Sequence, residues 1–176
     1  MLGLLAGEYD SISAAADLEI SLDVDAGLGT TIAVGDYDGD GRTDLALGAP
    51  ALDGVGSVYL MSEYERYVDG GGESTLGLPA LDIAASFDRR IIGTTGGLGS
   101  GLIMGGDMTG DGVPDFLVAE SEVDDVGVVW LVSGALLADG DNVVDEVSVL
   151  GIRAQYHAEQ IGQTMGSADF DGDGVD

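Results

Sequence analysis

Apolar residues along this chain gather in short runs of four to seven, rich in Val, Ile, Leu and Tyr and bounded by Gly and Asp. A helix would need ten or more residues with apolar positions recurring every three to four, so these runs predict strands. Leu18, Ile20, Leu22 and Val24 alternate with Glu19, Ser21, Asp23 and Asp25, the pattern of an outer strand with one solvated face. Ile32-Ala33-Val34 and Leu45-Ala46-Leu47 show no such alternation. They predict strands covered by other sheets on both faces, with Ala33, Gly35, Ala46 and Gly48 small enough to let those sheets approach.

The runs recur in a fixed frame. Leu28-Gly29 leads through Ile32-Ala33-Val34-Gly35 to Asp36-Tyr37-Asp38-Gly39-Asp40-Gly41-Arg42-Thr43-Asp44 and then to Leu45-Ala46-Leu47-Gly48-Ala49-Pro50. The same order returns from Leu98-Gly99 through Asp107-Met108-Thr109-Gly110-Asp111-Gly112-Val113-Pro114-Asp115 to Phe116-Leu117-Val118-Ala119, and begins again at Ile161-Gly162 with Asp169-Phe170-Asp171-Gly172-Asp173-Gly174. The leading aspartates, 36, 107 and 169, stand 71 and then 62 residues apart, and Gly56 and Gly127 each follow their loop's first Asp by 20 residues. Four strands per unit, ordered inner, second, third and outer, describe a propeller blade. The predicted fold is all-β, a β-propeller fragment made of four-stranded antiparallel blades. Residues 1–27 read as the second half of a preceding blade, 28–97 and 98–160 as complete blades, and 161–176 as the truncated start of a further one. The chain thus reads as starting midway through one repeat and stopping midway through another, an internal portion of a longer product or one share of an assembly. Its first expected partners are the remaining blades, because a two-blade piece exposes apolar faces and strand edges.

The spacing D-x-D-G-D-G-x-x-D has a direct chemical meaning. Calcium takes six to eight hard oxygen ligands at ~2.3–2.6 Å, whereas magnesium demands octahedral geometry and keeps its waters. Asp36, Asp38, Asp40 and Asp44 offer carboxylates at loop positions 1, 3, 5 and 9, and the Arg42 carbonyl stands at position 7. An EF-hand would need a Glu at position 12 between helices; that position is Leu47 in the first loop and Val118 in the second, between strands. The second loop keeps Asp107, Asp111 and Asp115 with the Val113 carbonyl at position 7, but Thr109 replaces the carboxylate at position 3, which predicts weaker binding. Asp107 lies eight residues after Gly99 whereas Asp36 lies seven after Gly29, so a β-bulge is expected near Gly105-Gly106. The third loop offers Asp169, Asp171 and Asp173 and has no position 9 within the sequence.

Composition sharpens this picture. The 176 residues include 33 acidic and 5 basic side chains, a net charge of −28, which excludes a nucleic-acid partner because phosphate contacts need clustered Lys and Arg. With 45% hydrophobic residues the chain is not a disordered acidic tail, and with no cysteine it has neither disulfides nor zinc–thiolate sites. No apolar stretch reaches the ~18–20 residues of a membrane helix.

The repeated segments resemble the FG-GAP repeat of the integrin alpha-subunit β-propeller and its bacterial relatives. Leu28-Gly29, Leu98-Gly99 and Ile161-Gly162 hold the Phe-Gly place, an aliphatic replacing the aromatic each time. Gly48-Ala49-Pro50 keeps the Gly-Ala-Pro, which has become Ala119-Glu120-Ser121 in the second unit. The resemblance implies a seven-bladed propeller on an extracellular or cell-surface protein, with Ca2+ in the first hairpin of each blade. It also implies a ligand face opposite those hairpins, built here from roughly residues 50–56, 91–98 and 119–127.

The remaining candidates read as structural. His157, the single histidine, has no catalytic partner in the sequence, and Trp130 among Val128, Val129 and Leu131 reads as interior packing. Arg89-Arg90 reads as an isolated basic pair on the surface; Tyr59 reads as packed, with Tyr64 and Tyr67 free to reach a ligand. The leading functional expectation is a non-catalytic, calcium-stabilised segment that mediates adhesion or recognition of a protein or glycan. The alternatives are the propeller portion of an extracellular polysaccharide-acting or lipid-acting enzyme, and a purely structural spacer.

Overall fold

Runs of β-branched and aliphatic residues ended by Gly and Asp become strands throughout the computed structural model, which describes residues 18–62, 72–73, 79–121, 126–153, 155 and 161–168. In chain order they are β1 (Glu19–Ser21), β2 (Ile32–Gly35), β3 (Asp44–Ala49), β4 (Ser57–Met61), β5 (Gly72–Glu73) and β6 (Pro79–Asp82). The one-turn helix α1 (Ile83–Ser86) precedes β7 (Arg89–Ile92), β8 (Leu98–Met104), β9 (Phe116–Glu120), β10 (Val128–Val132) and β11 (Gly140–Val143). A second one-turn helix, α2 (Val144–Val147), leads into β12 (Ser148–Arg153). The fold is all-β. Strands β2-β3-β4-β7 form an antiparallel meander, and β8-β9-β10-β12 repeat it.

The two meanders match residue for residue. Leu47 lies between Ile32 and Tyr59, and Val118 lies between Leu102 and Trp130. The extra residue of the second unit is absorbed where Gly105 and Gly106 both face Asp115: the Gly105 N–H donates to the Asp115 carbonyl at 2.9 Å, and the Asp115 N–H donates to the Gly106 carbonyl at 3.0 Å. That is the bulge which the spacing predicts.

The antiparallel blade is not the whole arrangement. After its third strand each unit sends a segment away to the outer strand of the unit before it. β11 pairs in parallel with β7, making the first meander a five-stranded sheet, and β6 pairs in parallel with β1, with β5 beside it. The chain then returns through α2 or α1 to lay down its own outer strand.

Two apolar clusters lie between these sheets. Ala46, Val58, Leu60 and Ile91 of the first meander meet Leu98, Leu102, Phe116, Val118 and Val132 of the second, joined by Val144 and Val147 from α2. Leu45, Leu47, Tyr59 and Met61 point the other way, toward Leu81, Ile83 and Ile20. Ile32 and Val34, expected to be covered on both faces, are each 61% exposed. Only the β3 and β4 side of that face enters the cluster with β1 and β6, so β2 projects past its cover.

Sheet contact is closest at the repeated glycines. Gly99 sits at φ 90°, a conformation costly for any other residue, and a Cβ there would lie 3.0 Å from the Gly48 Cα. The Thr31 hydroxyl donates to the Gly99 carbonyl at 2.7 Å, so this contact is polar as well as tight.

Candidate metal centre

The β2–β3 and β8–β9 hairpins carry the acidic loops, and Gly35 at the end of β2 lies against Met104 at the end of β8, which places both loops on one rim. Each loop is organised by its first aspartate. Asp36 Oδ1 accepts from the N–H groups of Gly39 at 2.7 Å and Asp40 at 3.1 Å, and Oδ2 accepts from Gly41 at 2.8 Å. Asp107 repeats the pattern with Gly110 at 2.7 Å, Asp111 at 3.0 Å and Gly112 at 2.7 Å. Glycine is needed because Gly39 and Gly41 adopt φ of 78° and 85°, as Gly110 and Gly112 do at 75° and 89°. These left-handed steps turn successive N–H groups inward onto one carboxylate.

The later aspartates repeat the device on a smaller scale. Asp38 Oδ1 accepts from the Asp40 N–H at 3.1 Å, and Asp40 Oδ1 accepts from the Arg42 N–H at 2.8 Å. In the second loop the Val113 N–H donates to Asp111 Oδ1 at 2.9 Å. Desolvation opposes ionisation of Asp107, but the N–H groups of Gly112, Asp111, Gly110 and Thr109 outweigh it and hold its carboxyl below the usual carboxylate range.

Asp36, Asp38 and Asp40 converge, each with a carboxylate oxygen within 4.8 Å of the other two. A cation with bonds of ~2.3–2.6 Å spans about 5 Å from one ligand oxygen to the opposite one, so these three oxygens fit within a single coordination shell. Asp38 and Asp40 are exposed, which leaves the centre open to solvent ions. In the second loop Asp107 and Asp111 keep their places, and Thr109 brings a hydroxyl where Asp38 brings a carboxylate.

The ninth-position carboxylates are fully buried and turned to backbone donors. Asp44 Oδ2 accepts from the Tyr37 N–H at 2.8 Å. Asp115 Oδ2 accepts from Thr109 at 2.7 Å and Oδ1 from Gly134 at 3.1 Å, so it also ties the loop to the turn after β10. The exposed Arg42 guanidinium stands 4.0 Å from Asp40 Oδ2. Asp169, Asp171 and Asp173, together with His157, Tyr64 and Tyr67, lie outside the described residues.

At the opposite end of the sheets, Pro50, Ala51 and Gly54 after β3, Gly97 and Ser100 around the start of β8, and Ser121 after β9 line one open cleft of about 380 Å³. Next to Ser121 in the chain stands a carboxylate whose burial the sequence does not announce. Glu120 is fully buried; its Oε1 accepts from the N–H groups of Thr94 and Thr95, each at 2.8 Å, and of Gly96 at 3.3 Å, while Oε2 accepts from Trp130 Nε1 at 2.9 Å. The available signal was the acid standing where the first unit has Ala49 of Gly-Ala-Pro. Arg89 and Arg90 are likewise not a loose surface pair. Arg90 grips Asp141 through Nε at 2.8 Å and Nη2 at 2.6 Å, lying over the Tyr59 and Phe87 rings; Arg89 lies over Tyr37, 3.4 Å from Asp139.

Residues 28–61 match the family model of the FG-GAP repeat, so that segment, from the strand before the first acidic loop to the end of β4, is an FG-GAP repeat. No curated protein matches the chain at a significant level. Among the described residues, no helix is long and apolar enough to cross a membrane.

Proposed function

From the FG-GAP repeat at residues 28–61 we infer that this chain is a calcium-stabilised segment of a β-propeller on an extracellular or cell-surface protein, with recognition of a protein or glycan rather than catalysis as its role. The carrying observation is the convergence of Asp36, Asp38 and Asp40 at the tip of the β2–β3 hairpin. Asp36, Asp38 and Asp40 would hold the ion directly, Asp107, Asp111 and Thr109 its weaker counterpart. A bound cation would supply neutralising charge there, and the chain's own N–H groups already orient the leading carboxylates. The fold supports separate rims for metal and ligand, since the cleft bordered by Pro50, Gly97 and Ser121 is at the far end of the same strands.

With affinity of ~0.1–1 mM, usual for extracellular modules, and calcium at tenfold to a hundredfold excess, linkage stabilises the fold by roughly 1.4–2.7 kcal/mol per site. Calorimetry should therefore show the melting temperature rising with millimolar calcium, and less with magnesium. Asp36→Ala with Asp40→Ala should remove most of that rise, and Thr109→Asp should enlarge it. A melting temperature indifferent to calcium would refute the reading.

A further inference from the structure

The three outer strands occupy one register. Ile91 of β7 faces Val58 of β4, and Ile152 of β12 faces Val129 of β10, the equivalent third-strand position. On the other side Ile91 faces Asn142 of the crossing strand β11, and Ile20 of β1 faces Leu81 of the crossing strand β6. The offsets agree position by position: Glu19, Arg90 and Gly151 are equivalent, as are Ile20, Ile91 and Ile152, and then Ser21, Ile92 and Arg153.

Their surroundings differ. β1 and β7 each carry a parallel strand contributed by the following unit, whereas β12 ends its sheet among the described residues. Ile91 is fully buried in the cluster between the two meanders, while Ile152 is 48% exposed and its neighbours Val149 and Leu150 are 54% and 51% exposed, so β12 lacks a covering meander as well as a crossing strand among the described residues. The crossing connection is also heavily secured where it is present. Arg90 and Asp141 form a two-point ion pair, the Gly140 N–H donates to the Asp88 carbonyl at 2.8 Å, and the Asn142 amide bonds Ala138 on both sides, pinning the approach to β11.

We propose that the outer edge of β12 is a docking site for the crossing strand of a further repeat unit, added in parallel opposite Gly151, Ile152 and Arg153. The proposal rests on the reading of the chain as stacked repeats and adds to it a specific lock: neighbouring units are held by strand exchange as well as by face-to-face packing. The occupant's chemistry follows from the register. It is a four-residue extended segment whose third residue stands opposite Ile152, as Leu81 and Asn142 stand opposite Ile20 and Ile91. Its last residue stands opposite Arg153, as Asp82 and Val143 stand opposite Ser21 and Ile92.

The test lengthens the chain by replacing residues 161–176 with a second copy of residues 98–160, and follows amide hydrogen exchange. Docking should slow exchange at residues 149–153 by about tenfold or more. Because the chain has no cysteine, Arg153→Cys combined with Val143→Cys in the added copy should form one disulfide in the folded protein. If amides of the added meander and of Leu117 and Leu131 become protected while 149–153 do not, and no disulfide forms, stacking stands and the strand lock is overturned. If the added copy fails to fold, a peptide spanning Leu137–Val147 at roughly 1 mM, added to the unaltered chain, decides the matter. It should slow exchange at 149–153 in the unaltered chain but not in Ile152→Lys, and no slowing overturns the proposal.

Discussion

Buried polar side chains divide the labour in this molecule, and Glu120 shows it most clearly. Four donors converge on its carboxylate, three from the turn between β7 and β8 and one from Trp130, so one side chain organises the junction between the two meanders. A charge with this many donors is stable where an unpaired one would not be. Glu120→Ala strands those donors and should cost about 2–4 kcal/mol in urea denaturation. Glu120→Gln keeps one acceptor but sets an amide N–H against the indole N–H, so about 1–3 kcal/mol is expected, with altered Trp130 fluorescence. Tyr37 is the second buried case. Burial, then the Asp88 carboxylate, pushes its phenol from 10 up to about 12. The native state therefore keeps this proton over a range in which the unfolded chain loses it. The stabilisation is complete below pH 10 and is lost as pH rises toward 12, so Tyr37→Phe should flatten the alkaline fall in melting temperature over that window.

Elements obey the same logic one level up. An acidic hairpin loop is a local object: its glycines, its Asp spacing and its N–H-to-carboxylate bonds all fall within nine residues, from Asp36 to Asp44. The crossing strand is the opposite, since nothing in Gly140-Asp141-Asn142-Val143 announces that it belongs on another unit's edge. Arg90 is where that long-range choice is most exposed to test. Its ion pair is half solvated and worth ~0.2–1 kcal/mol, and stacking on Tyr59 and Phe87 adds ~0.5–1 kcal/mol. Arg90→Ala should therefore destabilise by about 1–2 kcal/mol and speed hydrogen exchange in β11 before β4. Arg90→Lys should recover only part of this, because an ammonium lacks the two-pronged fork.

For the whole molecule the dominant quantity is charge. At −28, repulsion among acidic groups opposes the compact state, most strongly at the rim that gathers both aspartate loops. Monovalent salt should raise the melting temperature of the calcium-free protein steadily toward molar concentration, where the Debye length is about 3 Å. Asp36→Asn with Asp40→Asn should weaken that salt dependence without calcium present. A melting curve insensitive to salt would show that the loops' own N–H donors already offset the repulsion.

The sequence by itself determined the repeat, the strand class, the loop that gathers Asp36, Asp38 and Asp40, and even the bulge at Gly105 and Gly106. Each depends on neighbours a few residues away or on counting between copies of one pattern. Which carboxylates turn inward to backbone donors, as Asp115 and Glu120 do, was decided by the tertiary structure alone, because their partners at Gly134 and Thr94 come from other turns. The pairing of β6 with β1 and of β11 with β7 was decided there too. A parallel strand added to a neighbour's edge leaves no periodicity of its own; its energy lies in hydrogen bonds and ion pairs to residues some 50 positions away, as between Arg90 and Asp141.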